Sequence, residues 1–150
     1  MRRYASSTAV APDRSRGEIE RTLTRYGATG FIYGWEGARA LVAFQMAERH
    51  VKFLLPLPEP HDVDTTPQGR HRRAAAVLVA QAQETRRRWR ALALAVKAKL
   101  EVVASGIVTF DEEFLPYIVM PDGRTVGEHV SPAVTEAYAT GRVKALLPRF

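Results

Sequence analysis

The feature that most constrains this chain is a run from Arg70 to Ser105 with neither glycine nor proline. Ala, Arg, Leu, Gln and Lys dominate it, all of them tolerant of the helix. The run predicts one helix of about 30–35 residues, about 45–53 Å long at 1.5 Å per residue. Leu78, Ala82, Trp89, Leu92, Val96, Leu100 and Val103 recur along it at gaps of three, four and seven. That spacing keeps one apolar face toward a core. Gly106 is the natural stop.

The same run concentrates the charge. Its first 30 residues, Arg70 to Lys99, hold nine basic residues, Arg70, Arg72, Arg73, Arg86, Arg87, Arg88, Arg90, Lys97 and Lys99, against one acid, Glu84. The segment is therefore +8 in a chain of net charge +6, so the other 120 residues sum to −2. Local positive charge makes a field that attracts polyanions. At about 100° per residue, Arg86, Arg90 and Lys97 fall on one flank of the apolar stripe and Arg88 and Lys99 on the other. A surface helix usually mixes signs so that i,i+4 pairs form, and here the acids are missing. Cations on both flanks suit a phosphate backbone. The plainer alternative is a solvated face whose long side chains lie over apolar surface.

The rest of the chain reads as one α+β domain over residues 14–150, preceded by a loose tail at 1–13. The length of 150 residues is enough for one self-sufficient core. Ser15 and Glu18 have the spacing of a capping box, so a first helix is expected from Ser15 through Ile19, Leu23 and Tyr26 to Gly27. Three strands follow: Phe31 to Tyr33, Ala40 to Met46, and Val51 to Leu55. Turns at Glu36-Gly37 and Ala47-Glu48-Arg49 make them an antiparallel meander with one core face. Pro56, Pro58, Pro60 and Pro67 exclude helix and central strand from a loop at 56–69. Beyond the long helix, Thr109 and Glu112 cap a short helix, and Pro121-Asp122-Gly123-Arg124 is a hairpin turn from which Thr125-Val126 returns. A last helix is expected from Pro132 to Ala139, ending at Gly141.

Several function classes are excluded or weakened. With no cysteine there is no disulfide framework, thiolate nucleophile or Cys-based zinc site. That absence, with no apolar segment after the basic start of the chain, fits a cytoplasmic protein. No apolar run approaches the roughly 20 residues of a membrane span. His50, His61, His71 and His129 form no metal or triad motif. His61, Asp62 and Asp64, with Glu112 and Glu113, have ligand-type side chains without ligand spacing. Gly27, Gly30 and Gly34 are turn glycines, and no phosphate loop is present. No catalytic residue, metal or cofactor is expected. Phe31, Tyr33 and Phe44 suit the core, as does Trp89. Trp35, at the turn, is the best candidate for an exposed stacking ring.

Several strings carry a resemblance. They are Tyr33-Gly34, Val42-Ala43-Phe44, Val51-Lys52-Phe53-Leu54-Leu55-Pro56-Leu57-Pro58, Arg88-Trp89-Arg90-Ala91-Leu92, Val96-Lys97-Ala98-Lys99-Leu100-Glu101, Phe110 to Leu115 and Met120 to Glu128. On these the chain resembles small uncharacterised proteins of bacteriophages and prophages, over most of residues 15–147. The resemblance brings no activity with it. It implies a phage-like setting of DNA metabolism, recombination or host manipulation. In outline, a meander followed by a long basic helix is similar to the core of single-strand annealing proteins, which oligomerise and hold single-stranded DNA in a positive groove.

The expectation is a non-enzymatic nucleic-acid-binding protein favouring single-stranded DNA. Its contacts would be Arg86, Arg87, Arg88, Arg90, Lys97 and Lys99, helped by Arg70, Arg72 and Arg73 and by Trp35. The alternative is a protein-interaction module, binding a host protein or building a homo-oligomer. An unrecognised enzyme is the third reading.

Overall fold

The computed structural model describes residues 13–147. The tail expected at 1–13 lies outside the described residues, apart from Asp13. Helix α1 spans Asp13–Arg25, so Ser15 and Glu18 are interior residues rather than its cap. Gly27 follows at φ +96°, a left-handed conformation that costs glycine little and lets the chain reverse into the sheet.

Strands β1 (Thr29–Glu36), β2 (Arg39–Met46) and β3 (Arg49–Pro56) form one antiparallel sheet in that order. The register aligns Phe31 with Phe44 and Val51, Tyr33 with Val42 and Phe53, and Trp35 with Ala40 and Leu55. These rows form the helix-facing side of the sheet, because strand side chains alternate. The β2–β3 turn is made by Ala47 and Glu48 at φ 51° and 60°. Two successive positive φ values define the tight primed turn that matches strand twist, here adopted without glycine.

Helix α2 spans Ala74–Ala104, 31 residues and about 46 Å. It begins four residues later than Arg70. Thr65 and His71 form a bridge, Arg72 N donates to Asp64 O at 2.7 Å, and the Arg72 guanidinium donates to Val63 O at 2.6 Å. These bonds hold residues 70–72 extended against the Pro-rich loop, and Arg73 becomes the N-cap. The buried positions are Gln81, Thr85, Trp89, Ala93, Val96 and Leu100. The expected stripe is therefore right from Trp89 onward and displaced before it: Leu78 is exposed and Ala82 half-buried, while Gln81 and Thr85 are buried instead. The reason is what lies beneath. The first half of α2 meets the Pro-rich loop, where Gln81 Nε2 donates to Pro58 O at 2.9 Å, so a polar side chain belongs there.

The core joins Ile19 and Leu23 of α1, the inward rows of the sheet, the buried residues of α2 from Trp89 onward, and Phe114. Phe114 belongs to helix α3 (Phe110–Phe114), capped as expected by Thr109 and Glu112. Its ring stands edge-on to Phe44 at 6.0 Å and Phe53 at 6.3 Å, an arrangement favoured by ring quadrupoles. After a 3-10 turn at Leu115–Tyr117, Ile118 and Val119 bridge to Val51 and Thr125.

Helix α4 spans Val126–Thr140, six residues longer at its start than expected. Thr125 returns against Val119 as a single antiparallel bridge, with Val126 N donating to Ile118 O at 2.9 Å, and it is at once the N-cap, in a reciprocal capping box with Glu128. Pro132 lies inside this helix, where it has no N–H for the Glu128 carbonyl four residues back. Arg124 Nη2 donates to that carbonyl at 3.3 Å and stands in for the missing bond. Among the described residues, no helix is long and apolar enough to cross a membrane.

Candidate nucleic-acid interface

The basic residues of α2 separate into two groups with different surroundings. Glu84 takes up two of them. Arg87 donates to it from Nε at 2.7 Å and Nη2 at 2.6 Å, and Arg88 donates from Nε at 3.0 Å. The hydrogen bond from Arg87 is the main cause that holds the Glu84 carboxyl down at about 2; burial opposes it, and Arg88 reinforces it. The Arg87 guanidinium is pushed up in return. Arg88 also donates from Nη1 to Pro56 O at 2.8 Å, fastening α2 to the end of β3. Lys99 pairs with Glu113 at 3.2 Å and lies over Tyr117 and Phe114, 5.0 and 5.9 Å from the ring centroids. Arg88 and Lys99 are thus largely covered and tie α2 to the sheet and to α3.

Arg86, Arg90 and Lys97 are exposed and have no carboxylate within ion-pair distance among the described residues. They sit on the flank about 200° away from Arg88 by helix phase. Because Arg88 reaches β3, this flank turns toward β1 and α1. Lys97 shares a recess of about 260 Å³ with Glu18, Arg21, Thr22 and Arg25 of α1. Arg16 lies over the Tyr33 ring at 5.2 Å, and Tyr33 in turn tilts against Trp89 at 5.6 Å. The positive surface therefore includes α1 residues that the sequence pattern alone does not single out. Their signal is the spacing of Arg21 and Arg25, four apart on one helix face.

Trp35 is 63% exposed, at the end of edge strand β1. Its row, Trp35–Ala40–Leu55, ends beside Pro56, the residue that Arg88 grips. Trp35 is at the opposite, β1 end of that row, on the side to which Arg86 and Arg90 turn. Phe44 and Trp89 are buried, and Phe31 and Tyr33 are half-buried against the core. At the start of α2, Arg70 and Arg73 are exposed, while Arg72 is committed to Val63.

The ligand-type side chains of the Pro-rich loop pair with each other: His61 lies 3.3 Å from Glu59 and 3.2 Å from Asp62. Among the described residues, no group of three or more His, Asp or Glu has a metal-holding arrangement. Two further concavities are not legible in the sequence. An aliphatic cavity of about 780 Å³ lies between α4, the 3-10 turn and residues 146–147, with the Arg49–Asp111 pair in its wall. A cleft of about 480 Å³ lies on the far side of the sheet between β2, β3 and α4. The chain matches no protein-family model, no curated protein and no solved structure.

Proposed function

We propose that this protein binds nucleic acid, single-stranded DNA foremost, along the flank of α2 that carries Arg86, Arg90 and Lys97. Arg21 and Arg25 of α1 extend that flank, and Arg70 and Arg73 supply charge near the start of α2. The observation that carries the reading is the contrast in pairing. Arg87, Arg88 and Lys99 are answered by the chain's own carboxylates, whereas Arg86, Arg90 and Lys97 are not, among the described residues. Cations in a row on a rigid helix are preorganised for phosphate oxygens. Trp35 at the end of the same side offers a face for a base. A role in phage-like DNA metabolism or recombination is what the sequence resemblance adds.

Fluorescence anisotropy with labelled single- and double-stranded oligonucleotides across a salt series tests this. Removing one phosphate-binding cation should reduce the log–log salt slope by about 0.7 for single strands. Reversing Arg86 and Arg90 to Glu should abolish binding at moderate salt, while Arg88→Gln and Lys99→Gln should leave it nearly intact. Trp35→Ala should weaken single-strand binding by about 1–3 kcal/mol and duplex binding less. No binding in dilute buffer, or equal damage from the two groups of variants, would end the proposal.

A second reading, a protein-interaction module, is favoured by exposed Leu78, Val79 and Leu94 on α2. The first two lie in the half of the helix that meets the Pro-rich loop. A second copy covering them would give a dimer by light scattering, abolished by Leu78→Lys.

A further inference from the structure

The cleft between the sheet and α4 has a composition that the nucleic-acid reading does not use. Its walls bring together Arg39 of β2, Lys52 of β3 and Arg124 of the turn before α4, residues far apart in sequence. One carboxylate, Glu128, shares the lining, which leaves the cleft at net +2. That carboxylate is already occupied: it accepts from Thr125 N at 3.2 Å and lies 3.8 Å from Arg124 Nε. Lys52 is steadied by donating to Gly123 O at 3.3 Å. Arg39 is exposed and has no ion-pair partner among the described residues. Leu54, Pro116 and Tyr117 supply an apolar floor.

We propose that this cleft binds a small phosphate monoester carrying an apolar or planar body of about nucleotide size. Arg39 and Lys52, neither with an ion-pair partner among the described residues, stand beside Arg124, which is shared with Glu128, and together suit a phosphate better than a single carboxylate. The net +2 matches a phosphate dianion, and such groups are taken by arginine and lysine through charge-assisted hydrogen bonds. The volume of about 480 Å³ lies within the usual range for small-molecule sites. An apolar floor beneath a charged rim is the ordinary division between burial and orientation in such sites. The cleft lies on the face of the sheet opposite α2, so it does not depend on the flank that carries Arg86 and Arg90.

Isothermal titration of the full chain with adenosine 5′-monophosphate, adenosine and inorganic phosphate tests the inference. The monophosphate should bind most tightly, with each half alone at least tenfold weaker. Arg39→Ala and Lys52→Gln should each weaken the monophosphate at least fivefold while leaving the urea midpoint unchanged. Arg86→Glu with Arg90→Glu should not alter it. Absence of binding at millimolar ligand overturns the proposal, as does adenosine binding as tightly as its monophosphate. Loss of binding in the Arg86/Arg90 variant, with Arg39→Ala unaffected, would place the nucleotide on the α2 flank and overturn it equally.

Discussion

Tyr33 and Trp89 meet with ring centroids 5.6 Å apart and planes tilted by 53°, joining the centre of β1 to the centre of α2. Trp89 is fully buried, yet its indole N–H has no hydrogen-bond partner among the described residues. Trp89→Phe removes both ring volume and an unsatisfied donor, two changes of opposite sign. It should cost about 1–2 kcal/mol, against about 3–5 kcal/mol for Trp89→Ala. Urea unfolding followed by circular dichroism measures both. Equal losses would mean that the donor is satisfied.

Glu84 makes a pH prediction. Its folded pKa, about 2, is below its ordinary 4.5. A depressed carboxyl contributes stability that is fully present above the unfolded value and lost as pH falls through the folded one. The loss therefore falls between about pH 4.5 and pH 2. The Arg87 partner is exposed, so solvent screening reduces the contribution to about 1 kcal/mol. Glu84→Gln should flatten this part of the acid-unfolding curve. It should also free Arg87 and Arg88, and so raise oligonucleotide affinity and steepen its salt dependence. Weaker binding by this variant would contradict the assignment of Glu84 as the internal neutraliser.

Gly127 reverses a usual rule. Glycine to alanine inside a helix normally stabilises by about 1 kcal/mol. Here a Cβ would lie 2.8 Å from the Pro116 carbonyl oxygen, a backbone atom that cannot swing aside. Gly127→Ala should therefore destabilise, by about 1–3 kcal/mol, through displacement of α4 from the 3-10 turn. Thermal melts would show the sign directly.

The β2–β3 turn runs the other way. Ala47 and Glu48 both hold positive φ, where side chains are strained. Replacing them with Asn-Gly should raise stability by about 0.5–2 kcal/mol without moving either strand. No gain in the urea midpoint would argue that the turn is not the primed type.

Arg124 substitutes for a helix hydrogen bond removed by Pro132, by donating to the Glu128 carbonyl at 3.3 Å. Arg124→Met should cost about 1 kcal/mol in the native background. In a Pro132→Ala background, where the backbone N–H returns, most of that cost should vanish. A double-mutant cycle in thermal unfolding reads the coupling, and additivity would refute it.

Elements whose signal is local are legible in the sequence. The meander is written in alternation from Ala40 to Leu55, the α3 cap in the spacing of Thr109 and Glu112, and the length of α2 in the absence of Gly and Pro. Elements that answer to distant neighbours are not. Residues 70–72 have helical composition but are held extended by Asp64 and Val63. Gln81 looks like a surface residue until Pro58 presents a carbonyl. Thr125 returns to Val119 as its turn implies, but the helix that starts straight after it is hidden by Pro132, and Arg124 repairs that helix from outside.

That a long basic helix exists, and which flank each cation occupies, can be read from the residues alone, because both follow from propensity and a 3.6-residue period. Which of those cations remain available depends on the folded chain. Neutralisation needs a carboxylate within about 4 Å, and Glu113 reaches Lys99 from fourteen residues away only after α3 folds back on α2. Likewise, Arg21 and Arg25 join Lys97 because two helices pack side by side, a proximity that no local pattern encodes.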